Sequence, residues 1–192
     1  MPVLLFIPII ADIENNTNDN LPVFQGEFVF PFQQGTCYTF TQKYGAYDDG
    51  APHYANDLHT DIGTLVVAPV NAKIIEKIDG NTDNPIPSYY DYPPFAYQSL
   101  RGNYITLAFV YEKQEYFFRF MHFKQNTITV KIGQEVHQGD ILGEVGNSGL
   151  SWGAHLHFEV RNTVKGASSP ITTIDPNTLI DFGGFKERIC VN

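Results

Sequence analysis

The chain has 192 residues and a mass of 21.6 kDa, which suits one domain with short extensions and suffices to bury a substantial core. Hydrophobic residues make up 43% and charged residues 17%, a composition that excludes an intrinsically disordered chain. The net charge of −9 argues against nucleic acid as a partner, because phosphate binding requires clustered Lys and Arg. It also argues against simple electrostatic attraction to an anionic cell wall.

The N-terminal residues 1–20 are predicted to be an extension and linker. Residues 1–10 are apolar, but they include two prolines and no preceding basic residue, so neither a signal peptide nor a firm membrane segment is indicated. Residues 11–20 are polar and rich in turn formers, which is typical of a linker. We therefore place the domain at residues 21–182 and a C-terminal tail at residues 183–192.

The domain is predicted to be mainly β. The chain contains 11 Tyr and 15 Phe, which favour strands, and no window has a sustained apolar period of 3.6 residues. Because no helices alternate with strands, a sandwich or barrel is favoured over parallel α/β. The predicted strands are separated by clusters of Gly, Pro, Asn or Asp, and they cover residues 26–30, 64–68, 72–78, 103–111, 115–121, 128–131, 141–145 and 155–161.

Residues 79–101 form a long segment rich in proline and tyrosine between two predicted strands. A loop of this length without regular structure is often functional. Its aromatic side chains could wall a substrate groove, or they could simply pack on the edge of a sheet. The residues concerned are Tyr89, Tyr90, Tyr92, Phe95 and Tyr97.

A histidine pair lies in the last predicted strand. Because side chains alternate between the two faces of a strand, His155, His157 and Glu159 project to one face and the apolar residues between them to a core. Taken alone, a His-x-His motif is a weak signal, and two solvated histidines are the alternative.

A second motif, His53 followed by Asp57, supplies further metal-ligand types. Catalytic zinc sites use imidazole nitrogens and carboxylate oxygens as three protein ligands and leave a fourth position for water. His53, Asp57 and His157 would supply such a set, although a His-x-x-x-Asp motif is also a common accident.

In order and context, these motifs resemble the lysostaphin-type zinc metalloendopeptidases, the LytM-domain peptidoglycan hydrolases. The similarity spans about residues 31–180, and it includes Tyr47, Gly63-Thr64, Met121-His122, the glycine-marked segment 130–143, Gly146-Asn147-Ser148-Gly149, the strand from His155 to Val160, and Ile174-Asp175-Pro176. The resemblance implies a two-sheet antiparallel sandwich, or a barrel-like hybrid, with the active-site groove over the larger sheet.

The resemblance also assigns roles. It implies one zinc ion per chain, bound by His53, Asp57 and His157. Periodicity does not separate the two histidines of the pair, but the family pattern implies that His155 is catalytic together with His122. Tyr47 matches a position close to the metal, where its phenol could bind substrate by donating to an oxyanion. An ordinary groove tyrosine is the alternative.

The implied activity is zinc-dependent endopeptidase cleavage of peptide cross-links or stem peptides of bacterial peptidoglycan through a metal-activated water. The implied location is extracellular or periplasmic, in the cell envelope, and residues 1–25 could occlude the groove as a pro-segment. One alternative is a non-catalytic cell-wall-binding or activator module that retains the fold. Another is a biotinyl- or phosphotransfer-type carrier, but the chain has no Met-Lys-Met-like attachment site.

Several other residues of the chain lie outside this implied site. His59 is expected at the groove rim or in solvent, and His137 in a surface turn, so neither is expected to bind zinc. Ala55 stands where the family usually has glycine, and its methyl group could crowd the backbone if the position requires positive φ. Cys37 and Cys190 could form one disulfide or remain free thiols.

Overall fold

The computed structural model describes residues 21–47, 50–83 and 101–192. Within these ranges there is no α-helix, only a 3-10 turn at Pro176–Thr178, and no helix has the length and apolar character that a membrane crossing requires. The predicted mainly β fold is therefore confirmed. The strands of the described residues are β1 (Val23–Phe24), β2 (Cys37–Gln42), β3 (Gly45–Ala46), β4 (Pro52–His53), β5 (Asn56–His59), β6 (Leu65–Val67), β7 (Ala72–Ile78), β8 (Asn103–Tyr111), β9 (Gln114–Phe123), β10 (Glu135–Val136), β11 (Ile141–Glu144), β12 (His155–Arg161), β13 (Thr173–Ile174) and β14 (Arg188–Cys190).

One large sheet dominates the molecule. Its strands follow the order β10-β7-β8-β9-β12-β5-β2-β14 with antiparallel neighbours, and β13 adds to β12. The short β1 pairs with β8 in the parallel direction. A second sheet consists of β6 and β11, and β3 pairs with β4. The predicted two-sheet antiparallel architecture is present, and its sheets do not close into a barrel.

The apolar core lies on one face of the large sheet, against β6 and β11. Along β12, Leu156, Phe158 and Val160 are fully buried on this face. The rings of Phe158 and Phe120 stack at a centroid distance of 4.9 Å, which joins β12 to β9 in the core. Because side chains alternate along a strand, the other face of the same strands is left for the polar residues.

The prediction missed several strands, including β2 and β5, and two of the strands that it gave are absent. Residues 26–30 and 128–131 are not strands. They make isolated backbone hydrogen bonds, from Val29 N to Pro69 O and from Thr129 N to Leu142 O, and no ladder. Alternation of residue types therefore predicted an extended backbone there but not a pairing partner.

The C-terminal residues join the large sheet through β14, which pairs with β2. Cys190 lies opposite Cys37 in this pairing, and the two form a disulfide across 153 residues of sequence. Of the two states that the sequence left open, the structure has the disulfide.

Candidate active site

The polar face of the large sheet forms the floor of a groove of about 630 Å³. Strand β12 lies between β9 and β5, so polar side chains from three adjacent strands face the same space. The register places Asp57 opposite His157 and His59 opposite His155. The groove over the larger sheet, expected from the family resemblance, is present.

All six predicted site residues line this groove, namely Tyr47, His53, Asp57, His122, His155 and His157. Two overlapping groups in the described part of the chain could hold a metal ion, since the ligand atoms of each lie within 4.8 Å of one another. One group is His53, Asp57 and His157, and the other is His122, His155 and His157. The first contains the carboxylate, and both contain His157.

The first group has the geometry of a metal site. Nε2 of His53 lies 3.2 Å from Oδ2 of Asp57, and Nδ1 of His157 lies 2.8 Å from Oδ1 of Asp57. In a tetrahedral zinc site with bonds near 2.0 to 2.1 Å, neighbouring ligand atoms are about 3.3 Å apart. The observed separations are of this order, so the group is compatible with a zinc ion.

An orphaned nitrogen supports this fit. Nδ1 of His53 lies 3.3 Å from the carbonyl oxygen of Lys43, the position of a hydrogen bond that Nδ1–H donates. Nε2 then carries a lone pair, and it is buried without a hydrogen-bond partner although it faces the Asp57 carboxylate. A lone pair against a carboxylate oxygen is repulsive unless a cation lies between them. The arrangement therefore suits a metal ion.

Charges reinforce the arrangement at Asp57 and His157. Burial would raise the pKa of Asp57, but the charges of His155 and His157 and the hydrogen bond of His157 hold it well below its ordinary value. Burial would lower the pKa of His157, but Asp57 and then Glu159 outweigh it and raise that pKa to about 9. Without a metal, a proton therefore occupies His157 at neutral pH.

His122 and His155 form a second pair beside this group, with ring centroids 4.7 Å apart. Nδ1 of His122 lies 2.7 Å from the carbonyl oxygen of Ser148, and Nδ1 of His155 lies 2.8 Å from that of Gly153. Donation from Nδ1–H in both rings leaves the Nε2 lone pairs available. Burial lowers the pKa of both histidines. The charges of His155 and His157 lower that of His122 further, whereas the charge of Asp57 opposes burial at His155 without overcoming it. Both rings are therefore neutral near pH 7.

His122 has a left-handed backbone with a φ of 69°. A non-glycine residue is rare there, and such strain persists only where the surroundings fix it. Ser148 supplies that support, because its carbonyl oxygen accepts from the His122 ring and its Oγ donates to the carbonyl of Phe123 at 2.7 Å. The ring position is therefore determined by contacts of both the side chain and the adjacent backbone.

Sequence reasoning placed Glu159 on the site face but gave it no role. Its carboxylate accepts from Ser168 Oγ at 2.7 Å and from Arg161 Nη1 at 2.9 Å, and its Oε1 lies 3.3 Å from Nε2 of His157. Arg119 Nη1 lies 3.8 Å away. Glu159 thus holds Nε2–H of His157 and turns Nδ1 towards Asp57, as carboxylates commonly do behind metal-binding histidines. The alternation of β12 was the signal that could have assigned this role.

Other expectations have clear outcomes. His59 is exposed at the groove rim, where Nδ1 lies 2.7 Å from the carbonyl oxygen of Ala154, and it belongs to neither metal group. The side chain of His137 is 82% exposed, as predicted for a surface turn. Ala55 is fully buried and is not among the described residues with positive φ, so its methyl group does not meet the backbone conflict that a positive φ would cause. The aromatic residues of the segment 79–101 lie outside the described residues, as do residues 1–20.

The chain belongs to peptidase family M23, whose family model matches residues 51–170. It is 46% identical over 110 residues to an uncharacterised metalloprotease of Buchnera aphidicola, covering 57% of this chain and 23% of that protein. It is 30% identical over 97 residues to the peptidoglycan DD-endopeptidase ShyC of Vibrio cholerae, covering 50% of this chain and 19% of that protein. The chain thus spans about a fifth of the length of the curated relatives that it matches.

Solved structures agree with this family. The catalytic domain of the antimicrobial peptidase lysostaphin from Staphylococcus simulans is 29% identical with a TM-score of 0.54, covering 73% of this chain and 90% of that one. LytU is 26% identical with a TM-score of 0.55, covering 81% of this chain and 92% of that one. The resemblance to lysostaphin-type peptidases inferred from the sequence is therefore confirmed.

Proposed function

We propose that this protein is a zinc-dependent endopeptidase that hydrolyses peptide cross-links or stem peptides of bacterial peptidoglycan in the cell envelope. The observation that carries the proposal is the His53, Asp57 and His157 group, with its orphaned Nε2, beside two neutral histidines in one groove. The substrate class is supported by the name of the ShyC relative and by the likeness to lysostaphin.

His53, Asp57 and His157 are the proposed metal ligands. Zinc bound there would supply a Lewis acid that polarises the scissile carbonyl and lowers the pKa of water. Asp57 suits the ligand role because its lowered pKa keeps it ionised across the physiological range. His157 must lose its proton to bind, and Glu159 retains Nε2–H so that the lone pair is on Nδ1.

His122 and His155 are the proposed proton carriers. Each offers a neutral Nε2, so either can accept a proton from the attacking water and pass it to the leaving amine. Tyr47 lies with its ring centroid 4.4 Å from that of His53, and the proposed role of its phenol is to donate to the developing oxyanion. We expect Tyr47→Phe to lower kcat by about 10²-fold.

Bound zinc and turbidity loss of purified cell walls test the proposal in the wild type, His157→Ala and His122→Ala. His157→Ala should lose both zinc and hydrolysis, whereas His122→Ala should keep zinc and lose hydrolysis. His137→Ala is the matched control, because His137 is an exposed histidine outside the groove, and it should behave as wild type.

Each result has a distinct meaning. Wild-type protein without zinc, or a His122→Ala variant that still hydrolyses walls, would contradict the assignment. Zinc-loaded wild type that binds walls without cutting them would favour the non-catalytic module. Mass analysis of the released fragments identifies the bond that is cut.

A further inference from the structure

One cation lines the groove outside the proposed catalytic set. Arg101 is partly exposed there, and it is the only Lys or Arg among the described residues that line the groove. The chain as a whole has a net charge of −9, so this guanidinium is a positive charge in a mainly acidic protein.

The carboxylates on the groove floor are already engaged. Asp57 belongs to the metal group, and Glu159 is held by Arg161, with Arg119 close by. Arg119 in turn donates from Nη2 to Glu76 at 2.7 Å. The two glutamates and two arginines of this network balance in charge. The ion pairs of the described residues do not include Arg101, which is therefore excess positive charge.

The backbone beside Arg101 packs against residues of the site. The next residue, Gly102, has a φ of 63° and packs so closely on Ser148 that a Cβ would overlap its carbonyl oxygen. That same oxygen accepts from the ring of His122. The Arg101 guanidinium also lies 5.8 Å from the ring centroid of Tyr104, which orients it through a cation–π contact.

The neighbouring charges favour an anionic ligand. Burial, and then the charges of Arg119 and Arg101, lower the pKa of the Arg161 guanidinium, although Glu159 opposes them. The charge of Arg101 therefore repels the buried guanidinium group of Arg161. A carboxylate that binds Arg101 would relieve the repulsion, and the planar guanidinium fits a carboxylate through two parallel hydrogen bonds.

We propose that Arg101 forms a carboxylate-binding subsite of the groove and selects peptides that carry a free carboxylate near the scissile bond. The proposal rests on the endopeptidase function proposed above and narrows its substrate. Peptidoglycan stem peptides carry free carboxylates, whereas glycyl bridges carry none along their length. Arg101 therefore favours stem peptides.

The test uses the zinc-loaded protein and two synthetic cross-linked stem peptides that differ only in whether their carboxylates are free or amidated. The wild type should show a KM about tenfold lower for the free acid, as expected for one charge-assisted contact at a partly exposed site. Arg101→Gln should lose this preference, because its KM should rise for the free-acid peptide and stay unchanged for the amidated one. Arg101→Lys should keep part of the preference, because lysine retains the positive charge but lacks the planar guanidinium that makes two parallel hydrogen bonds.

Binding is measured separately from hydrolysis. Trp152 lines the groove, is 67% exposed and is the only tryptophan of the chain, so its fluorescence reports groove occupancy. Titration in a zinc-loaded His122→Ala background should show the same preference and its loss with Arg101→Gln. Arg188→Gln, an exposed arginine on β14 away from the groove, is the matched control and should retain the preference.

The outcomes separate the two proposals. Cleavage or binding of both peptides alike by the wild type overturns the role of Arg101, as does an equal loss on both peptides in Arg101→Gln. Preferential binding that depends on Arg101, without cleavage of either peptide, leaves the subsite standing and contradicts the endopeptidase function.

Discussion

Replacing Glu159 by glutamine should damage both stability and metal binding. Glu159 is 2% exposed and receives hydrogen bonds from Ser168 and Arg161, whose side chain is fully buried. Glutamine has the same shape, but its amide nitrogen replaces one acceptor oxygen with a donor that faces other donors. Removing one partner of a buried ion pair typically costs about 3–5 kcal/mol, because it leaves the other charge uncompensated.

Glu144→Gln is the matched control. Glu144 pairs with Lys124 at 2.8 Å, but the two side chains are 32% and 41% exposed. An exposed ion pair contributes about 0–1 kcal/mol, so this variant should remain close to wild type. Urea unfolding of metal-free protein at pH 7 measures both variants without a contribution from zinc. Equal destabilisation by the two substitutions would refute the assignment of the buried network.

Zinc affinity provides the second measurement on Glu159→Gln. Loss of the carboxylate behind a metal-binding histidine typically weakens binding about 10- to 100-fold. A competition titration against a coloured chelator measures the change. If the affinity equals that of wild type, Glu159 supports the fold but does not orient His157.

The pH dependence of the same variant follows from the pKa of Glu159. Burial would raise this pKa, but His157, Ser168 and Arg119 outweigh burial and lower it below its ordinary value of 4.5. A carboxyl group with a lowered pKa stabilises the fold above its unfolded pKa, and this contribution is lost as the pH falls. The stability gap between wild type and Glu159→Gln should therefore be full near pH 7 and shrink below about pH 4.5. A gap that widens in acid would contradict the shift.

Three further outcomes are expected. Zinc binding at pH 7.5 should release about one proton, because the pKa of metal-free His157 is about 9. The release should vanish above that pH. Calorimetry in two buffers of different ionisation enthalpy measures the number of protons released. Gly102→Ala should cost about 3 kcal/mol or more, because the new Cβ meets a backbone carbonyl, whereas Gly133→Ala, also at positive φ but with open space, should cost about 1 kcal/mol in urea unfolding. Replacing both Cys37 and Cys190 with alanine should lower stability by about 2–5 kcal/mol in thermal unfolding, because the disulfide closes a long loop; an unchanged Tm would show that it contributes little.

Local sequence pattern predicted much of the fold. Residues 72–78, 103–111 and 155–161 are strands with the predicted bounds, because alternation of polar and apolar side chains is a property of the strand itself. The wrong strand predictions at 26–30 and 128–131 also result from reliance on local pattern. An extended segment becomes a strand only when a partner backbone pairs with it, and local sequence does not reveal that partner.

For the site, the sequence by itself determined the residue types and one shared face. It placed His155, His157 and Glu159 together on β12 and gave His53, Asp57 and His157 as a possible zinc ligand set. The family resemblance supplied the roles of His122 and Tyr47 and the division of roles between His155 and His157. The tertiary structure determined which partners these side chains contact. Asp57 lies opposite His157 only through the β5–β12 register, across 100 residues of chain.

The same holds for the contacts that tune the site. The contact of Glu159 with Arg119, the support of Ser148 for His122 and the Cys37–Cys190 disulfide all join residues distant in sequence. Such contacts depend on strand register and on loop placement over the sheet. The sequence therefore specified the chemistry available to this protein, and the packing of distant strands determined which groups are paired, which are neutral and which remain for a ligand.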